Sequence, residues 1–241
     1  MLDARTLYQS GKLDEAIQAL GAEVRDNPTD AQRRTFLFEL LCFAGEFDRA
    51  EKQLAVLGSG GSDAQMGALL YQAALHAERL RKDLFEKRAF PLNAPMRPVS
   101  GTLNGTPFES LEDADPRIGR RLEIFAAGQY TWLPFEQIAS VRVSAPKRLR
   151  DLLWAPALVR TAESFKGVEL GEVLVPVIAP LTWQCADGAV RLGRVTEWQA
   201  DDNGVEAPLG QKLLLVDGEE FPILEIRELV IAPAEASAAD S

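Results

Sequence analysis

Gly11-Lys12-Leu13-Asp14-Glu15-Ala16 returns 34 residues later as Gly45-Glu46-Phe47-Asp48-Arg49-Ala50. That offset is the period of tetratricopeptide-type helix pairs, and six matched positions at that period are hard to obtain by chance. Each Gly falls where one helix ends and the chain must reverse through left-handed backbone, which costs glycine little. Asp14 and Asp48 fall near a helix start, where a carboxylate suits the N-terminal dipole. Ala16 and Ala50 fall where paired helices approach too closely for a larger side chain.

Outward from the repeat, apolar spacing predicts helices over 2–10, 13–26, 31–44 and 47–57. Asn27-Pro28-Thr29-Asp30 ends the second and caps the third. Gly58-Ser59-Gly60-Gly61-Ser62 reads as a flexible break. A long helix follows over 63–88, with Met66, Leu69, Leu70, Ala73, Ala77, Leu80 and Leu84 in register. Such pairs cannot bury their faces singly and must stack.

The prolines at 91, 95, 98 and 107, with Gly101 and Gly105, exclude helix and mark a junction. Beyond it, Asp115-Pro116 reads as the capped start of a short helix ending near Gly128. Strands are expected over 130–133, 138–143, 154–160 and 172–178. Another is expected over 189–198, with a bulge at Gly193. Asp217-Gly218 joins strands 212–216 and 219–223 in a two-residue hairpin. The expected map is a tetratricopeptide-like helical domain over 1–90, a Pro/Gly-rich junction over 91–107, a strand-rich domain over 108–231 and a disordered tail over 232–241. The fold class is α+β, with the second domain a small curved sheet or partial barrel.

Net charge is −10, of which residues 1–90 carry −2 and the remainder −8. That field repels polyanions at long range, so nucleic acid and anionic membrane surfaces are poor partner candidates, and neither nucleic acid nor direct membrane insertion is expected. No stretch approaches the ~20 apolar residues of a membrane span, and the N-terminus lacks a signal pattern; a cytoplasmic protein is expected. Cys42 and Cys185 read as buried small hydrophobes in a reducing compartment.

Catalytic signatures are sparse. The lone histidine, His76, shares a helical line with Leu69, Ala73 and Leu80 and reads as a core or groove-edge side chain. One His and two distant Cys do not make a zinc site, and no metal or cofactor is expected. The carboxylates Glu109, Glu112, Asp113 and Asp115 are the most enzyme-like feature, since paired carboxylates can hold Mg²⁺ or divide into acid and base. Asp115 has a simpler role as a cap, and arginines at 117, 120 and 121 stand ready to pair with the others. Nucleophile elbows and phosphate-binding loops are absent. Lys147-Arg148-Leu149-Arg150 is too short for a nucleic-acid patch; it suits solvent or an acidic partner.

The third helix is unusually apolar. Phe36, Leu40 and Phe43 form one stripe; Leu37, Leu41 and Ala44 form a second, and Phe38 widens the arc to roughly 220°. Thr35, Glu39 and Cys42 occupy the remainder. Two readings stand: a helix covered on both sides by neighbours, or one stripe packed and the other lining a groove. First helices of such repeats face the concave surface on which solenoids bind partners. Phe36, Leu40 and Phe43, with His76 nearby, are the candidate protein-binding residues.

Phe36-Leu37-Phe38-Glu39-Leu40-Leu41-Cys42 followed by Gly45 and Ala50 resembles the ImpE family, also called TagJ or SciE-type virulence proteins. The resemblance continues through Gly101-Thr102-Leu103-Asn104-Gly105, Asp113-Ala114-Asp115-Pro116-Arg117-Ile118-Gly119, and Gly128-Gln129-Tyr130 with Trp132-Leu133-Pro134-Phe135. It extends to Leu149-Arg150-Asp151-Leu152-Leu153-Trp154-Ala155-Pro156, so nearly the whole chain is covered. It implies a non-enzymatic accessory role in type VI secretion, binding a helical segment of the small sheath subunit and assisting sheath handling by the AAA+ disassembly ATPase. Many relatives carry extra helical sequence before the Gly-Thr-Leu motif, where this chain has a short Pro-rich link. The residues alone leave two alternatives: a metal-dependent enzyme using the 109–115 carboxylates, or a peptide-binding module formed by the C-terminal sheet.

Overall fold

The structure, a computed structural model, describes residues 2–90, 96–165, 169–201 and 203–233. Five helices come first: α1 (Ala4–Gln9), α2 (Leu13–Asp26), α3 (Ala31–Phe43), α4 (Phe47–Leu57) and α5 (Ser62–Glu86). Asp3 caps α1 by accepting from the Thr6 N–H, and Asp30 caps α3 by accepting from the Arg33 N–H. The 34-residue offset superimposes structurally equivalent turns. Gly11 and Gly45 both take positive φ, at 77° and 69°, and Ala16 and Ala50 are fully buried. Both turns also abut the C-terminal half. A Cβ on Gly45 would meet the Trp183 side chain at 2.8 Å, and one on Gly11 would meet Ala189 at 3.4 Å.

Gly58–Gly60 form a 3-10 turn continuous with α4, so the expected flexible break is an ordered connection to α5. The apolar line that marks α5 in the sequence is only partly its buried face. Ala68, Ala74, Leu75, Ala77, Glu78, Arg81 and Phe85 are buried, whereas Met66, Leu69, Leu70 and Leu80 are exposed.

The second half is built mainly of antiparallel strands. An eight-stranded sheet contains β1 (Gly101–Leu103), β2 (Thr106–Phe108), β4 (Arg121–Ala126), β5 (Gln129–Pro134), β6 (Ile138–Val143), β7 (Trp154–Thr161), β8 (Glu169–Pro176) and β13 (Glu228–Ile231). Their order is β2-β1-β13-β6-β7-β8-β4-β5. A second sheet orders β12 (Glu219–Pro222), β11 (Leu213–Val216) and β3 (Leu111–Asp113), and β9 (Glu197–Ala200) pairs with β10 (Glu206–Leu209). The class is α+β, and the main sheet is open and larger than the small curved sheet or partial barrel expected.

Alternation along the central strands gives the sheet two buried faces. Phe125, Trp154 and Leu174 point into the core formed by the helices. Their neighbours Ile124, Ala155, Val173 and Val175 point into a second core shared with Leu111, Leu214 and Ile223. The helices therefore lie on one face of the main sheet and the three-stranded sheet on the other.

Three expectations need correction. The helix expected from Asp115 to Gly128 is a turn followed by β4. The fully buried Asp115 carboxylate accepts from the Arg117 N–H at 3.0 Å and grips the Arg117 guanidinium at 2.8 and 2.6 Å, closing the turn. Residues 121–126 then form a strand buried on both faces, Leu122 and Ile124 entering one core and Phe125 the other. The strand expected over 189–198 begins only at Glu197. Before it, Gly188–Arg191 form a single helical turn, α6, which Gly193 ends with φ 66°, so this glycine is a stop and not a bulge. Finally, β1 and the start of β2 fall within the stretch read as junction. Most of the expected disordered tail, 234–241, lies outside the described residues; Ala232 still donates to the Ser100 carbonyl at 2.8 Å.

Candidate partner-binding groove

The sequence raises two readings of α3, and its burial separates them. Every residue from Leu37 to Phe43 is buried, including Glu39 and Cys42. Leu40 (0% exposed) and Phe43 (3% exposed) belong to the helical core, so neither presents a surface to a partner. The helix is covered on both apolar stripes because α2 and α4 flank it and the Tyr71 and Trp154 rings pack against Phe38. Only Phe36 of the stripe reaches an open surface.

That surface is a groove of about 580 Å³ between α1 and α3. Arg5, Tyr8 and Gln9 form one wall; Gln32, Thr35, Phe36 and Glu39 form the other, and Leu149 closes one side. The spacings of three and four on both helices put each set on one face. The Tyr8 and Phe36 rings meet edge to face with centroids 5.5 Å apart, an arrangement favoured by the ring quadrupoles. The groove thus lies over what reads in the sequence as the polar remainder of α3, with Phe36 at its edge. Burial pushes the Glu39 carboxyl up, and Arg150, whose Nε stands 3.5 Å away, opposes that shift.

His76 lies elsewhere. It is exposed on α5 beside a shallow depression lined by Phe47, Arg79, Leu80 and Lys82, and the structure does not bring it to Phe36. The carboxylates at 109–115 do not converge either. Glu109 is exposed, Glu112 lies 4.0 Å from Arg120, Asp115 is committed to Arg117, and Asp113 is drawn into the interior by Lys212. No group of three or more His, Cys, Asp or Glu side chains suited to a metal occurs among the described residues. Cys42 and Cys185 are both free thiols; Cys42 is buried, which pushes its thiol well above the usual range, and Cys185 is half-buried.

A buried charge cluster that no sequence signal announces lies where α5 crosses the sheet. Glu123 on β4, wholly buried, accepts from Arg81 Nε at 2.7 Å and from its Nη2 at 3.0 Å, and also from Lys212 and Tyr130. Lys212 Nζ also bonds Asp113 at 2.5 Å, Arg81 donates to the Ile178 carbonyl, and Trp154 Nε1 donates to Glu78 at 2.9 Å. Burial works to raise Glu123, but Arg81 and Lys212 overcome it and hold the carboxyl at about 2. Burial wins at Asp113, pushing it up to about 7 against the pull of Lys212, and it also raises Glu78. None of Arg81, Lys212, Asp113 and Glu123 is more than 3% exposed, so the cluster joins elements and offers no substrate a place to bind.

Comparison with known proteins agrees with this architecture. The ImpE protein family model matches residues 105–230. A Pseudomonas aeruginosa protein named type VI secretion system accessory component TagJ is 34% identical over 267 aligned positions, spanning 97% of this chain and 92% of that protein. In fold, the chain is similar to the crystal structure of protein VPA1032 from Vibrio parahaemolyticus. The TM-score is 0.82 at 23% identity, covering 95% of this chain and 97% of the other.

Proposed function

The chain belongs to the ImpE family, and from that premise we propose that it is a cytoplasmic accessory component of type VI secretion that acts by binding. Its partner in this reading is a helical segment of the small sheath subunit, and its role is to assist sheath handling by the AAA+ disassembly ATPase. The observation that carries the reading is the α1–α3 groove. Its two walls are the first helices of successive pairs, and it is open at Phe36 and Tyr8 where the rest of α3 is sealed. An amphipathic helix, about 10 Å across, buries a narrow apolar stripe, which suits a groove with a short aromatic edge and otherwise polar walls. The dispersed carboxylates at 109–115 favour binding over catalysis.

Co-purification tests the reading. The full chain should retain the small sheath subunit, and should lose it when that subunit's helical segment is deleted. Retention of the deleted subunit at full strength would place the contact outside helix capture.

A further inference from the structure

The basic run 147–150, too short for a nucleic-acid patch, reaches the groove through Leu149. Leu149 lines it from the β6–β7 connection. Arg150 lies 4.8 Å over the Tyr71 ring with its Nε 3.5 Å from Glu39. That Nε is buried and has no hydrogen-bond partner. Lys147 and Arg148 are exposed, and Arg148 is near enough to Glu39 to influence its titration. On the opposite wall Arg5 is exposed, and Arg194 stacks 4.6 Å over Tyr8, the ring that meets Phe36. Among the described residues no carboxylate forms an ion pair with Arg5, Lys147, Arg148 or Arg194.

The carboxylates of the neighbourhood are occupied. Asp3 accepts from Thr6, Asp151 accepts from the Lys147 and Arg148 N–H groups, Asp30 pairs with Arg33, and Glu39 faces Arg150. A chain of net charge −10 thus places cations without a carboxylate partner on both sides of a groove whose apolar surface is supplied by Tyr8, Phe36 and Leu149. Rim charges of one sign select partners and raise association rates more than they add affinity.

Resting on the helix-capture reading above, we propose that the groove selects an acidic amphipathic helix, one whose apolar stripe is flanked by carboxylates that meet Arg5 and Arg148 across the rim. The sheet half of the molecule then contributes to recognition through 147–150, and the site is shared between the helices and the strands. A basic helix is repelled by the same rim.

Three designed 20-residue helical peptides test this against the full chain. They share one leucine stripe and carry Glu, Gln or Lys at the flanking positions, and binding is followed by fluorescence anisotropy at low and high salt. The Glu peptide should bind at least ten-fold more tightly than the Gln peptide at low salt, and the Lys peptide most weakly. The preference should shrink at high salt, because exposed charges are screened. It should vanish in the double variant Arg5→Glu with Arg148→Glu, whose melting temperature stays near that of the parent because both side chains are exposed. Equal binding of the Glu and Gln peptides, with both lost in Phe36→Ser, overturns the acidic preference and leaves helix capture standing. A preference that survives the double variant overturns the assignment to this rim. Failure of all three peptides to bind overturns the proposal and the helix-capture reading together.

Discussion

Glu123→Gln removes the anionic hub that ties α5 to the sheet while keeping the volume of the side chain. In the parent, Glu123 accepts two bonds from Arg81, one from Lys212 and one from Tyr130. Removing one partner of a buried ion pair costs about 3–5 kcal/mol, because the remaining charge stays desolvated. The lower end applies here. Arg81 keeps the Ile178 carbonyl and has Glu78 at 3.7 Å, while Lys212 keeps Asp113. At roughly 2–4 °C per kcal/mol for a chain of this size, a loss of about 3 kcal/mol lowers the melting temperature by about 6–12 °C. Thermal unfolding followed by tryptophan fluorescence is a suitable assay, since Trp154 bonds to Glu78 beside the cluster. Arg81→Met combined with Glu123→Leu should be less damaging than Glu123→Gln, because an apolar replacement removes the desolvated pair as a unit. A Glu123→Gln variant melting within 2 °C of the parent would refute the reasoning and leave apolar packing as what holds α5 in place.

The same cluster sets a pH dependence. Asp113 has its folded pKa raised, so its contribution is fully present below the ordinary carboxylate value of 3.8 and is lost as pH rises through about 7. Asp113→Asn should therefore flatten the fall in melting temperature between pH 5 and 8, and an unchanged slope would move that titration elsewhere. Glu123 acts oppositely, its contribution present above 4.5 and lost as pH falls toward 2; acid unfolding of Glu123→Gln should accordingly be shallower than that of the parent. Gly45→Ala meets both positive φ and the Trp183 ring at 2.8 Å, so a drop of more than about 1 kcal/mol is expected in denaturant melts, whereas no drop would mean that the turn relaxes freely. Phe43→Ala should cost about 3–5 kcal/mol as a buried aromatic, and Phe36→Ser much less, a contrast that paired melts of the two variants can check.

The helical half was legible because its signals are local. Positive φ at Gly11 and Gly45 and caps at Asp3 and Asp30 each act within a turn or two of chain, and the 34-residue period only repeats such local signals. The Asp217-Gly218 hairpin was legible for the same reason, and both residues take positive φ, at 52° and 86°. The strands that escaped notice are short: β1, β2 and β3 have three residues each and β10 and β13 four, too few to show a period, and β1 gains its identity by pairing with β13, more than 120 residues away. At Asp115-Pro116 the local signal for a helix start is real, but the buried Asp115–Arg117 pair turns the chain into β4 instead. The site was half legible. Aromatic content drew attention to α3, but its buried faces are decided by Trp154 and Tyr71, which approach from distant sequence. Tyr8 was missed as a groove residue, although its spacing with Arg5 and Gln9 along α1 was available. The buried cluster of Arg81, Glu123, Lys212 and Asp113 joins α5, β4, β3 and the residue before β11, and no spacing in the sequence could have shown it.

The central claim, capture of a helix at Phe36, is tested most directly by calorimetric titration of the small sheath subunit's helical segment into the parent and into Phe36→Ser. In the proposed complex Tyr8 and Phe36 would be the main apolar anchors, and burying one large side chain contributes about 1.5–3 kcal/mol. Loss of Phe36 should therefore weaken binding at least ten-fold while the melting temperature stays close to that of the parent. Equal affinity for the two proteins would contradict the account.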